Sequence, residues 1–257
     1  MNSKRQVESH QNEPLRSIPA VLLVGGLGTR LQSVVGATPK PLAPVGDAPF
    51  LEIVLQQLRS QGVRHIVMCT GHLASQVQEQ FGDGSQWGMA IEYSREASPL
   101  GTAGALKRAE PLLAGRDEFF VMNGDSFLEL SFAELLRFHR LNRAVVSMAV
   151  RRVSDAARYG TVQLAENNRV SGFREKDGTQ MPGLINGGVY VFSRSLLARI
   201  PDGPASLEKE VFPSVLRHGV YGLEQGGMFI DIGTPEDYAR AQTLYRQLCL
   251  AAGSQAP

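Results

Sequence analysis

The chain has 257 residues, 43% hydrophobic and 20% charged, with a formal net charge of +1. This composition fits a soluble globule of one large domain, or a core with a small lobe, and so small a net charge offers no field for nucleic acid or an anionic membrane. Cys69 and Cys249 are too few for a disulfide framework and favour a reducing cytoplasm, and no uncharged apolar stretch reaches the ~18 residues of a spanning helix. Residues 1–18 are polar, lack the apolar block of a signal peptide and read as a disordered tail. A strand is expected at 20–24. A helix follows at 50–61, with Leu51, Val54, Leu55 and Leu58 on one face and Gly62 as its stop. Then come a strand at 65–70, a helix at 73–81, a strand at 90–94, a helix at 103–109, a strand at 118–122, a helix at 132–141 and a strand at 144–150. Such alternation argues for a mainly parallel sheet with helices on both faces, an α/β, Rossmann-like, doubly wound fold. Beyond residue 151 the pattern changes. A hairpin at 160–165 and 169–173 turns at Asn167-Asn168. A strand at 188–192, a helix near 195–199, a cap at Ser206, a strand at 229–232 and a helix at 235–250 started by Thr234 and Pro235 complete the chain. The expected division is a nucleotide half at about 19–150 and a smaller half at about 151–250.

The first strand ends in Gly25, Gly26 and Gly28, followed by Thr29 and Arg30. Glycines let the backbone turn tightly, and bare N–H groups between a strand and a helix make an anion site. Arg30 adds a planar fork for phosphate oxygens, and Lys40, inside Pro39-Lys40-Pro41, adds a point charge. The guest these groups suit is a nucleoside triphosphate. The stretch is not a Walker A loop, because Arg30 and Leu31 stand where Lys and Ser or Thr are needed. Nor is it a dinucleotide fingerprint, whose third glycine is replaced by Leu31.

Asp125 follows an apolar strand in Asn123-Gly124-Asp125-Ser126, and Asp231 follows Met228-Phe229-Ile230. Each could serve a turn or a cap. Together with a phosphate loop, the pair suits Mg²⁺, which takes one or two carboxylates plus phosphate oxygens. Glu175-Lys176 and Asn186-Gly187-Gly188 read either as surface and turn, or as cleft residues. In a cleft Lys176 would hold a second phosphate, and Glu175 and Asn186 would bond sugar hydroxyls. Small residues around Gly101 and Thr102 let a flat ring lie against backbone, and Glu96 before them can accept both donors of the guanine edge. No Ser-His-Asp set and no zinc spacing is found. His139 and His218 read as surface residues, and His72 could reach the cleft.

Taken in order, these segments resemble the sugar-1-phosphate nucleotidylyltransferases. The likeness rests on Gly-Gly-Leu-Gly-Thr-Arg-Leu at 25–31, Pro-Lys-Pro at 39–41, Pro-Leu-Gly-Thr-Ala-Gly-Ala at 99–105 and Asn-Gly-Asp at 123–125. It continues with Tyr-Gly-Thr-Val at 159–162, Glu-Lys at 175–176, Asn-Gly-Gly at 186–188 and Phe-Ile-Asp-Ile-Gly-Thr-Pro-Glu-Asp-Tyr at 229–238. Within the family the length and residues 33–45 are most similar to the D-glycero-D-manno-heptose 1-phosphate guanylyltransferase group. The resemblance implies transfer of GMP from GTP to a sugar 1-phosphate, giving GDP-heptose for polysaccharide biosynthesis. It also implies a small sugar-binding lobe, and it leaves homo-oligomerisation open. Arg30, Lys40 and Asp125 would be catalytic. Gly25, Gly26, Gly28, Thr29, Arg30, Glu96, Gly101 and Thr102 would bind the nucleotide, and Asn123, Gly160, Glu175, Lys176 and Asn186 the sugar phosphate. Asp125 and Asp231 would hold Mg²⁺. The rival readings are a mannose-1-phosphate guanylyltransferase, an N-acetylmuramate 1-phosphate uridylyltransferase and a non-catalytic nucleotide-sugar-sensing subunit.

Overall fold

The computed structural model describes residues 15–26, 28, 30–36, 38–71, 73–174, 178 and 180–253. In chain order the strands are β1 Ala20–Leu23, β2 Pro44–Val45, β3 Ala48–Pro49, β4 His65–Thr70, β5 Ala90–Arg95, β6 Glu118–Asn123 and β7 Ser126–Leu128. They continue with β8 Val146–Val153, β9 Thr161–Leu164, β10 Val170–Arg174, β11 Gly183–Ser193, β12 Val220–Gln225 and β13 Phe229–Asp231. The main sheet runs β12-β8-β11-β6-β1-β4-β5, and the hairpin β9–β10 attaches to the first half of β11. β6, β1, β4 and β5 are mutually parallel, as the strand–helix alternation predicts. β11 is the exception, entering antiparallel between β6 and β8. The last strand expected in the first half, β8, therefore lies beyond β11 and pairs with β12.

Both sheet faces are covered because side chains alternate along each strand. Ala20, Leu22, Met68, Phe120 and Met122 point to one side. They pack with the helices Phe50–Ser60, Ala74–Phe81 and Phe132–Leu141 and with the closing helices. Val21, Val67, Cys69, Phe119 and Val121 point to the other side, against the helix Gly101–Arg108 and the turns from Leu196 to Val215. The closing helix breaks at Leu244 into Pro235–Thr243 and Tyr245–Ala251. Its start matches the sequence signal, since Thr234 Oγ1 accepts from Asp237 N at 3.3 Å with Pro235 in the first turn. Leu15 and Ile18, which the sequence reading assigns to the tail, are buried in the core. No helix among the described residues is long and apolar enough to cross a membrane.

The register sets the site. Leu23 pairs with Cys69 on one side and Asn123 on the other, and Thr70 pairs with Arg95. The carboxyl ends of four adjacent parallel strands thus place Gly25, Gly71, Glu96 and Asp125 along one edge, where open α/β sheets bind ligands.

Candidate active site

A cavity of about 440 Å³ opens at that edge. Its lining includes Gly25, Gly26, Gly28, Arg30, Lys40, Glu96, Gly101, Thr102, Asn123 and Asp125. The glycine loop is anchored from both sides. Val24 N donates to Cys69 O at 2.9 Å, and Gly124 N donates to Leu23 O at 3.0 Å. Pro39 then starts a short 3₁₀ turn, Lys40–Leu42, that aims Lys40 inward.

The Lys40 ammonium stands between two carboxylates, 2.6 Å from Asp125 Oδ2 and 3.8 Å from Asp231 Oδ1. Asp231 reaches this position by a non-local route. β13 pairs antiparallel with β7, Asp231 opposite Ser126, and Ile232 N donates to Asp125 O at 3.0 Å. Burial first, and then the Asp125 charge, push the Asp231 carboxyl up to about 6; Lys40 and the Gly233 N–H, which donates to it at 2.7 Å, pull the other way. Among the described residues no group of three or more His, Cys, Asp or Glu side chains converges. Two carboxylates facing a cation fit a hard divalent ion that takes its remaining ligands from phosphate oxygens and water.

Glu96 lines the same cavity against the glycine loop. Its Oε2 accepts from Leu100 N at 2.7 Å, and a Cβ placed on Gly25 would overlap its Oε1. A Cβ on Gly71 would lie 2.8 Å from Gly25 O. The two glycines are what let the carboxylate fold over the loop. Burial raises the Glu96 pKa, opposed by the Leu100 N–H and Arg108.

In the small-residue stretch at 99–105, Gly101, Thr102 and Ala105 line the cavity, while the sides of Gly101 and Gly104 where a Cβ would stand are covered by segment 203–205. Gly101 has φ +68°, and a Cβ there would sit 2.5 Å from Ala205 O. A Cβ on Gly104 would overlap Gly203 O. The segment 203–205 presses on this helix, and Thr102 Oγ1 donates to Glu208 Oε2 at 2.9 Å rather than pointing a free hydroxyl into the cavity.

Gly160 and Asn186 are not brought into this cavity. Gly160 is exposed beside Arg174 O, and both polar ends of Asn186 are used within β11. Asn186 Nδ2 donates to Tyr190 Oη at 2.6 Å, and its Oδ1 accepts from Gly188 N at 3.0 Å. Thr29, His72, Glu175 and Lys176 lie outside the described residues. Cys69 and Gly233 also line the cavity and were not singled out by the sequence reading, although Gly233 follows the Asp231 motif directly. His139 is not a surface residue. It is 1% exposed on the core face of its helix, in line with Phe132, Leu135 and Leu136.

Residues 19–247 match the family model described as nucleotidyl transferase. The chain belongs to this family. It is 40% identical over 227 residues to a mannose-1-phosphate guanylyltransferase of Mycobacterium tuberculosis, covering 87% of this chain and 63% of that protein. It is 37% identical over 224 residues to a D-glycero-alpha-D-manno-heptose 1-phosphate guanylyltransferase of Campylobacter jejuni, covering 85% and 96%. The chain thus spans less than two thirds of the mycobacterial relative but nearly all of the Campylobacter one. Among solved structures it is similar to HddC from Yersinia pseudotuberculosis complexed with GMP-PN. That match has a TM-score of 0.79 and 30% identity, and covers 89% of this chain and 99% of that one. The fold alone is shared with a putative glucose-1-phosphate thymidylyltransferase from Bacillus anthracis, at a TM-score of 0.80 and 22% identity.

Proposed function

We propose that the chain transfers GMP from GTP to a sugar 1-phosphate, with D-glycero-D-manno-heptose 1-phosphate as the acceptor, in a reducing cytoplasm. The observation that carries the reading is one cavity lined by a glycine loop, Arg30, Lys40 and Asp125 together with the Glu96 carboxylate, which lies against Gly25 of that loop. With Oε2 held by Leu100 N, Glu96 Oε1 would accept from the N1–H and amino donors of guanine. A sugar-phosphate oxygen forms a bond to the α-phosphorus as the bond from that phosphorus to the β-phosphate oxygen breaks, and pyrophosphate leaves. Arg30 neutralises charge on the departing pyrophosphate, and Lys40 moves from Asp125 to the reacting phosphates. Lys176 is assigned to the sugar phosphate and Glu175 to the sugar, beside Asn123, which lines the cavity; Gly160 and Asn186 lie outside that cavity. No covalent enzyme intermediate is needed, because the chain positions the reactants and stabilises charge. Asp125 and Asp231 would hold Mg²⁺, which when bound supplies charge neutralisation between the phosphates.

The 37% identity to the Campylobacter relative over 224 residues supports the heptose acceptor. The higher identity to the mycobacterial relative favours mannose 1-phosphate as a second reading. Pyrophosphate release across the four NTPs against a panel of sugar 1-phosphates separates them. GTP with the heptose phosphate is expected to give the highest kcat/KM. Preference for mannose 1-phosphate moves the assignment to the second reading, and preference for UTP or dTTP refutes guanylyl transfer.

A further inference from the structure

The base end of the cavity is braced from the far half of the chain. Leu100 N holds Glu96 Oε2, while Leu100 O accepts from Ala205 N at 2.9 Å. Ala205 O in turn accepts from Ala103 N at 2.9 Å. One turn further on, Thr102 Oγ1 donates to Glu208 Oε2 at 2.9 Å and accepts from Leu207 N at 2.8 Å. Ser206 Oγ donates to the same Glu208 oxygen at 3.0 Å. Gly101 and Gly104 are the positions where segment 203–205 meets the helix backbone. The bonds between the two segments join residues about a hundred positions apart, and one of them ends on Leu100, the residue whose N–H holds Glu96.

We propose that Glu208 is a positioning residue for nucleotide binding: acting through Thr102, it holds the 96–102 loop against segment 203–208 and so fixes the Glu96 carboxylate. Glu208 does not line the cavity, whereas Thr102 and Glu96 do. Its effect is therefore transmitted by hydrogen bonds, not by contact with substrate. The proposal rests on the reading that this cavity takes the nucleotide.

The test measures GTP binding calorimetrically without sugar phosphate, and steady-state kinetics, for wild type, Glu208→Ala, Glu208→Gln, Thr102→Val and the double variant Glu208→Ala/Thr102→Val. Loss of one bracing bond is expected to weaken GTP binding and raise its KM about 5- to 10-fold in Glu208→Ala. The kcat and the sugar-phosphate KM should stay within about twofold. Glu208→Gln keeps an acceptor for both hydroxyls and should bind GTP like wild type. Thr102→Val should reproduce the weakening, and the double variant should be no worse than the poorer single one, because both cut the same bond. Unchanged GTP affinity in Glu208→Ala overturns the proposal, as does a rise confined to the sugar-phosphate KM or a Glu208→Gln variant as impaired as Glu208→Ala. If Glu208→Ala does not fold, Thr102→Val decides: tight GTP binding there overturns it. Failure of wild type to bind GTP while binding another triphosphate refutes the guanine reading alone, and the same variants are then scored with that nucleotide.

Discussion

Buried His139 should make this protein acid-labile in a window that can be calculated. Its Nδ1 lies 3.0 Å from Ser147 Oγ and its Nε2 lies 3.0 Å from Ser193 Oγ. The Ser193 hydroxyl proton is used on Ala144 O at 2.8 Å, so its oxygen accepts from Nε2–H. Nδ1 then carries the lone pair and accepts from Ser147, which makes the ring neutral in one defined tautomer. Burial, and secondarily the Arg140 charge, lower its pKa from 6.5 to about 4. The unfolded chain therefore takes up a proton below about pH 6.5 that the folded chain refuses, so this contribution is fully present above that pH and is lost as pH falls towards 4. At about pH 5 the cost relative to neutrality is about 2 kcal/mol, from 1.36 kcal/mol per unit over roughly 1.5 units. For a domain with stability of about 5–15 kcal/mol this is a large share. Urea unfolding of wild type and His139→Gln, at about pH 7 and about pH 5, isolates the effect because every other titrating group is common to both. The variant is expected to be less stable at neutral pH, since the serine contacts and packing are altered. The gap should narrow by about 2 kcal/mol at the lower pH. A gap that stays constant within about 0.5 kcal/mol would refute a neutral buried ring.

Asp125→Asn should lower kcat at least ~100-fold with an unchanged Tm, since metal charge stabilisation amounts to several kcal/mol; full activity, or full activity of wild type in excess chelator, would remove the metal role. Gly25→Ala should force Glu96 from its place and raise the GTP KM about tenfold, read by initial rates, with little change in the sugar-phosphate KM. Glu96→Gln should lower kcat/KM for GTP about tenfold or more, because it sets a donor against a guanine donor, while changing UTP much less. Equal losses with both nucleotides would show that the base is read elsewhere.

Local signals made much of the fold legible. The apolar run at 65–70 and the 3.6-residue spacing at 132–141 match β4 and the helix Phe132–Leu141 residue for residue, because the strand is an unbroken buried run and the helix buries one face at an uninterrupted period. Elements whose partners are distant were not legible. β12 Val220–Gln225 has a glycine and a glutamate among its residues and owes its strand form to pairing with β8. β11 begins at Gly183, earlier than its apolar run, because Gly187-Gly188 forms a bulge inside a continuous strand instead of ending in a turn. The site divides along the same line. The glycine loop, Lys40 and Asp125 follow strand ends that local pattern locates. The approach of Asp231 to Lys40 depends on the β7–β13 ribbon, and the burial of His139 depends on Ser147 and Ser193 arriving from other strands.

Charge counting across the cavity explains why aspartates stand in a site built for anions. Among the described residues lining it, Arg30 and Lys40 are balanced by Glu96 and Asp125. Asp231 stands just behind Lys40 and carries a pKa pushed up to about 6, the mark of a carboxylate already crowded by like charge and burial. With a net charge of +1 the rest of the chain offers no compensating field. A triphosphate and a sugar phosphate placed here would meet a neutral lining, with two carboxylates near the reacting phosphates, and would be repelled by them. Lys40 cannot relieve both sides at once, because contact with the phosphates withdraws it from Asp125. A divalent cation held by Asp125 and Asp231 would resolve the conflict and leave Lys40 free to meet substrate. The charge balance of the cavity thus favours a divalent cation independently of any resemblance. It also implies that removing Asp125 and Asp231 together should let the triphosphate bind without added metal but leave transfer slow, a separation that binding and single-turnover measurements on the double Asp→Asn variant would reveal.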